Sequence, residues 1–221
     1  MGSERLRFWL GGAVAIGAVF LVQQHVPGLG SDRVSLDPQR DWDNAKVPHG
    51  APTALERRLG KVAALAAGRS VQVRCEDFSD GTPVEPGGVV QFRGNEPAEF
   101  ARIRPDVCTD LSRFPGSTVG ASSCLRTHAC DSGVFAASQA ITVLAHESRH
   151  LSGIRDEAVT QCYGMQSVPR LARALGAARQ DAQALATLEY VVGYARMPPV
   201  YRSRECRPHG KLDLTPDTRW P

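Results

Sequence analysis

The stretch from Gly133 to His150, GVFAASQAITVLAHESRH, constrains this 221-residue chain more than any other. No Gly or Pro interrupts it after Gly133, and Val134, Ala137, Ile141, Leu144 and Ala145 recur at helical spacing. That pattern predicts a helix with one apolar stripe set against a core. Asp131 and Ser132 stand where an N-cap is wanted, and Gly153 stands where a helix stops in a left-handed turn. The stretch ends in His146-Glu147-Ser148-Arg149-His150. Positions i and i+4 lie one above the other on a helix face, so the imidazoles of His146 and His150 can grip one metal ion. Glu147 can reach a water on that ion and act as its general base. Arg149 falls away from the ligand face and reads as a surface charge. The competing reading is a plain amphipathic helix with two exposed histidines.

The N-terminus decides the compartment. Arg5 and Arg7 precede the apolar run Phe8 to Val22, the mark of an export signal or of an anchor with its N-terminus inside. Ala13-Val14-Ala15 has the form of a cleavage site, but a cut there would leave a stub of the hydrophobic region. An uncleaved anchor over residues 1–26 is therefore expected, with secretion after cleavage as the alternative. Either way the body of the chain lies outside the cytoplasm, held at the cell membrane by a single pass if the anchor stays. The cysteines agree, because an even number in an exported chain points to disulfides. The expected pairs are Cys75–Cys108, Cys124–Cys130 and Cys162–Cys206, each joining segments that can be neighbours. No C-x-x-C occurs, which argues against a cysteine metal site. A net charge of +3, with no Lys/Arg cluster interleaved with aromatics, excludes nucleic acid as partner. Lysine stands only at Lys46, Lys61 and Lys211, and that bias, with abundant Ala and Gly, fits a high-GC bacterial genome.

Residues 27–52, rich in Pro, Gly, Asp and Arg, read as a linker, and 53–221 as one domain. Leu55, Leu59, Val62 and Leu65 predict a helix from Thr53 to Gly68. Ser70 to Cys75 and Gly87 to Arg93 read as strands joined by turn-rich sequence, hence as an antiparallel hairpin. Pro105 to Phe114 reads as a short helix and Gly116 to Cys130 as a stapled loop without periodicity. A second long helix starts near Asp156, with Gly164 and Pro169 as candidate interruptions, and another runs from Asp181 to Ala195. The tail is loop-like and pinned by Cys206. The order predicts an α+β fold with a small antiparallel sheet and a mostly helical second half, stapled by disulfides.

The run HESRHLSGIRDE resembles the zincin metallopeptidases, a likeness that covers residues 134–166. Its H-E-x-x-H-x-x-G spacing is that of the metzincin branch, where the sixth residue after the second His meets the metal. Here that residue is Asp156, and the usual His is absent. In the gluzincin branch a Glu on the following helix is the third ligand, a role that Glu157 fits. The resemblance implies a zincin-like fold and Zn²⁺ held by His146, His150 and one of these carboxylates. It implies a membrane-anchored, extracytoplasmic zinc metallopeptidase that cuts peptide or protein substrates, with Glu147 as general base. An N-cap role would occupy the Asp156 carboxylate, so Glu157 is the expected ligand and Asp156 the alternative, ahead of distant Glu189 or His209. The carboxylate left over would orient a ligand His. Tyr163 and Tyr201 are candidates to stabilise an oxyanion, and His128 to approach the cleft. The strand Val89 to Arg93 is a candidate edge for an extended peptide. The rival expectation is a non-catalytic, disulfide-stabilised envelope domain with a vestigial or structural zinc site. Such a site would want a fourth ligand, often Cys, and none stands at a suitable spacing.

Overall fold

The computed structural model of the chain describes residues 48, 50–78, 87–217 and 220–221. The expected anchor over 1–26 and almost all of the 27–52 linker lie outside them, as do His25 and His49. Among the described residues no helix is long and apolar enough to cross a membrane.

Helix α1 (Ala54–Ala67) begins on a capping box: the Thr53 hydroxyl accepts the Glu56 N–H at 3.2 Å, and the Thr53 N–H donates to Glu56 at 2.6 Å. Its buried face carries Leu59, Val62, Ala63 and Ala66. Five short strands follow: β1 (Gln72–Cys75), β2 (Gly88–Val89), β3 (Phe92–Arg93), β4 (Glu96–Pro97) and β5 (Phe100–Ile103). β1 and β2 do not form the expected hairpin. β5 lies between them, parallel to β1 and antiparallel to β2, so the sheet is mixed. The second predicted strand instead divides at Val90 and Gln91, and β3 pairs with β4 in a hairpin of its own. The reason is burial. Ala101 and Ile103 are fully buried, and a strand that is buried on the inside of the sheet takes the central place.

Helix α2 (Pro105–Ser112) starts on Pro105 as expected. The predicted stapled loop contains a helix, α3 (Ala121–Thr127). Its seven residues are too few for a periodic signal. Then come α4 (Ser132–Leu151), α5 (Glu157–Ala174) and α6 (Arg179–Leu188). Asp131 caps α4 by accepting the Val134 N–H at 2.9 Å, and Gly153, at φ +98°, turns the chain after it. α5 runs unbroken through Gly164 and Pro169. Gly164 is a packing residue, because a Cβ there would come within 3.1 Å of the His146 backbone. It lets α5 lie directly on α4 at the motif.

The architecture is α+β, with three disulfides in the expected pairing: Cys75–Cys108, Cys124–Cys130 and Cys162–Cys206. Loops of 33 and 44 residues closed this way stabilise by about 4 kcal/mol each in the chain-entropy account. The first ties the end of β1 to α2, and the last holds the tail on α5. Arg149 is no surface charge. Half-buried, it donates to Ser167 Oγ at 3.0 Å and to the Ala66 carbonyl at 3.3 Å, joining α4 to α5 and α1.

Candidate metal centre

His146, Glu147 and His150 stand on the last turns of α4, and Glu157 opens α5. The turn through Gly153 brings the two helix ends together. One nitrogen from each imidazole and one Glu157 oxygen lie within 4.8 Å of one another, and all three residues are buried. Glu157 Oε2 is 3.0 Å from His146 Nε2 and 3.4 Å from His150 Nε2. Asp156 is turned away as the N-cap of α5, where its Oδ1 accepts the Val159 N–H at 2.8 Å. It orients no histidine, contrary to expectation.

Other groups fix the rings. His150 Nδ1 lies 2.7 Å from the Ile154 carbonyl oxygen, which can only accept, so that nitrogen carries the proton. His146 Nδ1 lies 2.9 Å from Gln161 Oε1 in the same arrangement. Each neutral ring then turns an Nε2 lone pair toward the Glu157 carboxylate. Acceptors facing one another in a buried site repel unless a cation lies among them. The donor set, two imidazoles and one carboxylate with second-nitrogen partners in place, fits a divalent transition metal. Glu157 Oε2 has no hydrogen-bond partner, as an oxygen kept for a metal would not.

Charge follows this geometry. Burial would raise the Glu157 carboxyl, but the adjacent His146 and His150 rings, once protonated, outweigh it and hold its pKa at about 2. Burial disfavours charge on His150, yet Glu157 and Glu147 outweigh it and raise that imidazole. Without a metal, a proton takes the cation's place between ring and carboxylate. Burial raises the Glu147 carboxyl despite the two histidines. Glu147 Oε2 is buried without a partner, the state of a group ready to take a proton. Gly88 of β2 packs on it so closely that a Cβ would stand 2.5 Å from Glu147 Cγ.

The site opens into a cleft of about 820 Å³. It follows α4 from Phe135 to His150, and β2, β3, α2, the start of α5 and the segment after α6 contribute further walls. Phe92 sets its ring edge on His150 at 5.9 Å between centroids. Arg155 lies over Phe92 and donates to the Gly94 carbonyl at 2.6 Å, tying the β3–β4 hairpin to the site. Tyr201 lines the cleft, 5.9 Å from the His146 ring, and burial, reinforced by Glu157 and Glu147, pushes its pKa up to about 12. Of the other candidates, Tyr163 and the exposed His128 do not line the cleft, and His209 is held by Asp213 through its backbone N–H. Glu189 lines the cleft but is not among the three clustered ligands. Sequence reasoning missed Gln161 as the partner of His146. The signal was present, since Gln161 is one helical turn beyond Glu157. The chain matches no protein-family model, no curated protein and no solved structure.

Proposed function

We propose that this protein is a zinc-dependent metallopeptidase of the zincin type, anchored at the cell membrane with its α+β domain outside the cytoplasm. One observation carries the reading. Three ligand atoms, from His146, His150 and Glu157, converge beside a buried carboxylate, Glu147, that keeps a free oxygen at the foot of an open cleft. Three protein ligands leave a position for water or substrate, the mark of a catalytic rather than a structural zinc site. Every cysteine is in a disulfide, so no thiolate is at hand to close the site with a fourth ligand. The disulfides also fit an oxidising compartment.

Zinc at this site would supply a Lewis acid that polarises the scissile carbonyl and makes a nearby water more acidic. Glu147 would take the proton from the attacking water and pass it to the amine nitrogen as the peptide bond breaks. Tyr201, protonated at any physiological pH, would donate its O–H to the developing oxyanion. Among the described residues β2 is an outer strand of its sheet, and Gly88 and Val89 border the cleft. Their outward backbone groups would pair with an extended peptide.

The test is the purified full-length protein, assayed for metal content and for cleavage of a mixed peptide library, beside Glu147→Ala. About one zinc per chain is expected in both proteins, and cleavage only in the wild type, because the general base is not a ligand. A wild type without metal would end the reading. Metal without cleavage would favour a non-catalytic envelope domain.

A further inference from the structure

One wall of the cleft is a single turn of π-helix, Glu189–Gly193, which continues α6 and packs on α4. Such turns are uncommon and are frequent at functional sites. Glu189 is 4% exposed and lines the cleft. Among the described residues no cation or hydrogen-bond donor answers its carboxylate, and burial alone pushes its pKa up to about 7. Gly193 makes room for it, since a Cβ there would collide with the carboxylate. Other charged groups also line the cleft, Arg104, Asp106, Asp110 and Arg196 among them, and none of these is paired with Glu189. Arg104 binds Asp106 at 2.8 Å, Asp110 accepts from Arg113 at 2.9 Å, and exposed Arg196 forms no ion pair with Glu189. The lining of the same cleft includes the apolar Val107, Val143, Val192 and Met197.

A carboxylate buried without a partner is costly, and the cost is removed when a cation arrives. We propose that Glu189 receives a cationic group of the peptide substrate: the ammonium or guanidinium of a Lys or Arg side chain, or a free N-terminal amine. The apolar walls suit the aliphatic stem of such a side chain, with the charge delivered to its end. Glu189 is then a specificity residue of the cleft, and the inference rests on the peptidase reading above.

Glu189→Gln keeps the shape and removes the charge. Wild type and E189Q are compared on peptides with a blocked N-terminus and an internal Lys or Arg, on unblocked neutral peptides, and on blocked neutral peptides. We expect kcat/KM to fall about thirtyfold on one of the two cationic sets, with little change on the blocked neutral set. A loss confined to the blocked Lys/Arg set identifies the side chain as the cation, and a loss confined to the unblocked set identifies the terminal amine. Equal kcat/KM ratios for all three sets would overturn the proposal. Calorimetry with agmatine as probe gives a readout independent of turnover, and its binding should be lost in E189Q. Agmatine bound only by the wild type, with no peptide cut, would keep the cation site and sink the peptidase reading. Cleavage without charge preference and without agmatine binding would sink the cation site alone. A third variant, Glu189→Ala, should reproduce the E189Q selectivity if Gln distorts the turn.

Discussion

Glu56 and Glu189 are buried to almost the same degree, 5% and 4% exposed, yet their surroundings differ completely. Glu56 sits beneath the sheet. It accepts the backbone N–H of Thr53 and of Cys75 and faces Arg74 at 3.5 Å. Arg74 also faces Glu76, which faces Arg102 at 3.6 Å. Burial alone would raise the Glu56 carboxyl, but these partners outweigh it and lower its pKa. In the cleft, among the described residues, no arginine forms an ion pair with Glu147, Glu157 or Glu189, although Arg104, Arg155 and Arg196 line it, and Glu147 and Glu157 each keep a buried oxygen unpaired. The first region carries its own counter-charges and holds the fold together. The second leaves negative charge for guests to neutralise: on our proposals, a divalent ion at one end and a substrate cation on its wall.

Four predictions, resting on five substitutions, would break or sharpen that contrast. The largest effect belongs to Glu157→Gln, which removes the anionic ligand. Zinc affinity should drop about a thousandfold in a chelator competition, roughly one ligand's share of the binding free energy. An unchanged affinity would remove Glu157 from the ligand set. Next comes Arg74→Ala, which removes the cation facing Glu56 and Glu76 and leaves Glu56 only its backbone donors. Urea melts should show a loss of about 4 kcal/mol with zinc affinity intact. A loss of metal binding along with stability would mean that the two regions are not separate.

Third, the two buried glutamates should respond to pH with opposite signs. The folded pKa of Glu56 is depressed, so its stabilisation is present above about pH 4.5 and is lost as pH falls through the folded value. The folded pKa of Glu189 is raised from 4.5 to about 7, so the fold is favoured at low pH and loses stability as pH rises from about 4.5 to about 7. Glu189→Gln should therefore stabilise the protein by about 3 kcal/mol at pH 8 and by nothing at pH 4, whereas Glu56→Gln should destabilise it at pH 8. Urea midpoints at the two pH values decide it, and E189Q without any gain at pH 8 would show Glu189 to be compensated. The smallest effect belongs to Gln161→Ala, which frees the His146 ring. Zinc affinity should fall about 10- to 100-fold, read by the same competition.

What could be read in advance followed the range of the interactions. α1, α4 and α5 were legible because a helix is written locally, in apolar spacing and in caps such as Thr53, Asp131 and Asp156. The clustering of the candidate ligands was legible for the same reason. Two sit one turn apart on α4, and the N-cap geometry at Asp156 leaves Glu157 to face them. The sheet was not legible. Alternation marks a strand but not its partner, and the parallel pairing of β1 with β5 joins Gln72 to Phe100 across 27 intervening residues. The approach of Glu189 to the cleft is likewise set by how α6 packs, which no local pattern records.

Gly164 has a consequence for how this centre can change over time. Its neighbour across the helix pair is the backbone of His146, and a single methyl group at 164 would force that backbone to give by a few tenths of an ångström. Metal–ligand bonds tolerate deviations of about 0.2 Å. The distance between α4 and α5 would therefore gauge the proposed coordination sphere, set by a residue that owns no side-chain donor atom. If the centre holds a metal, a side chain at position 164 would reach that metal through the His146 backbone, without touching a single ligand atom.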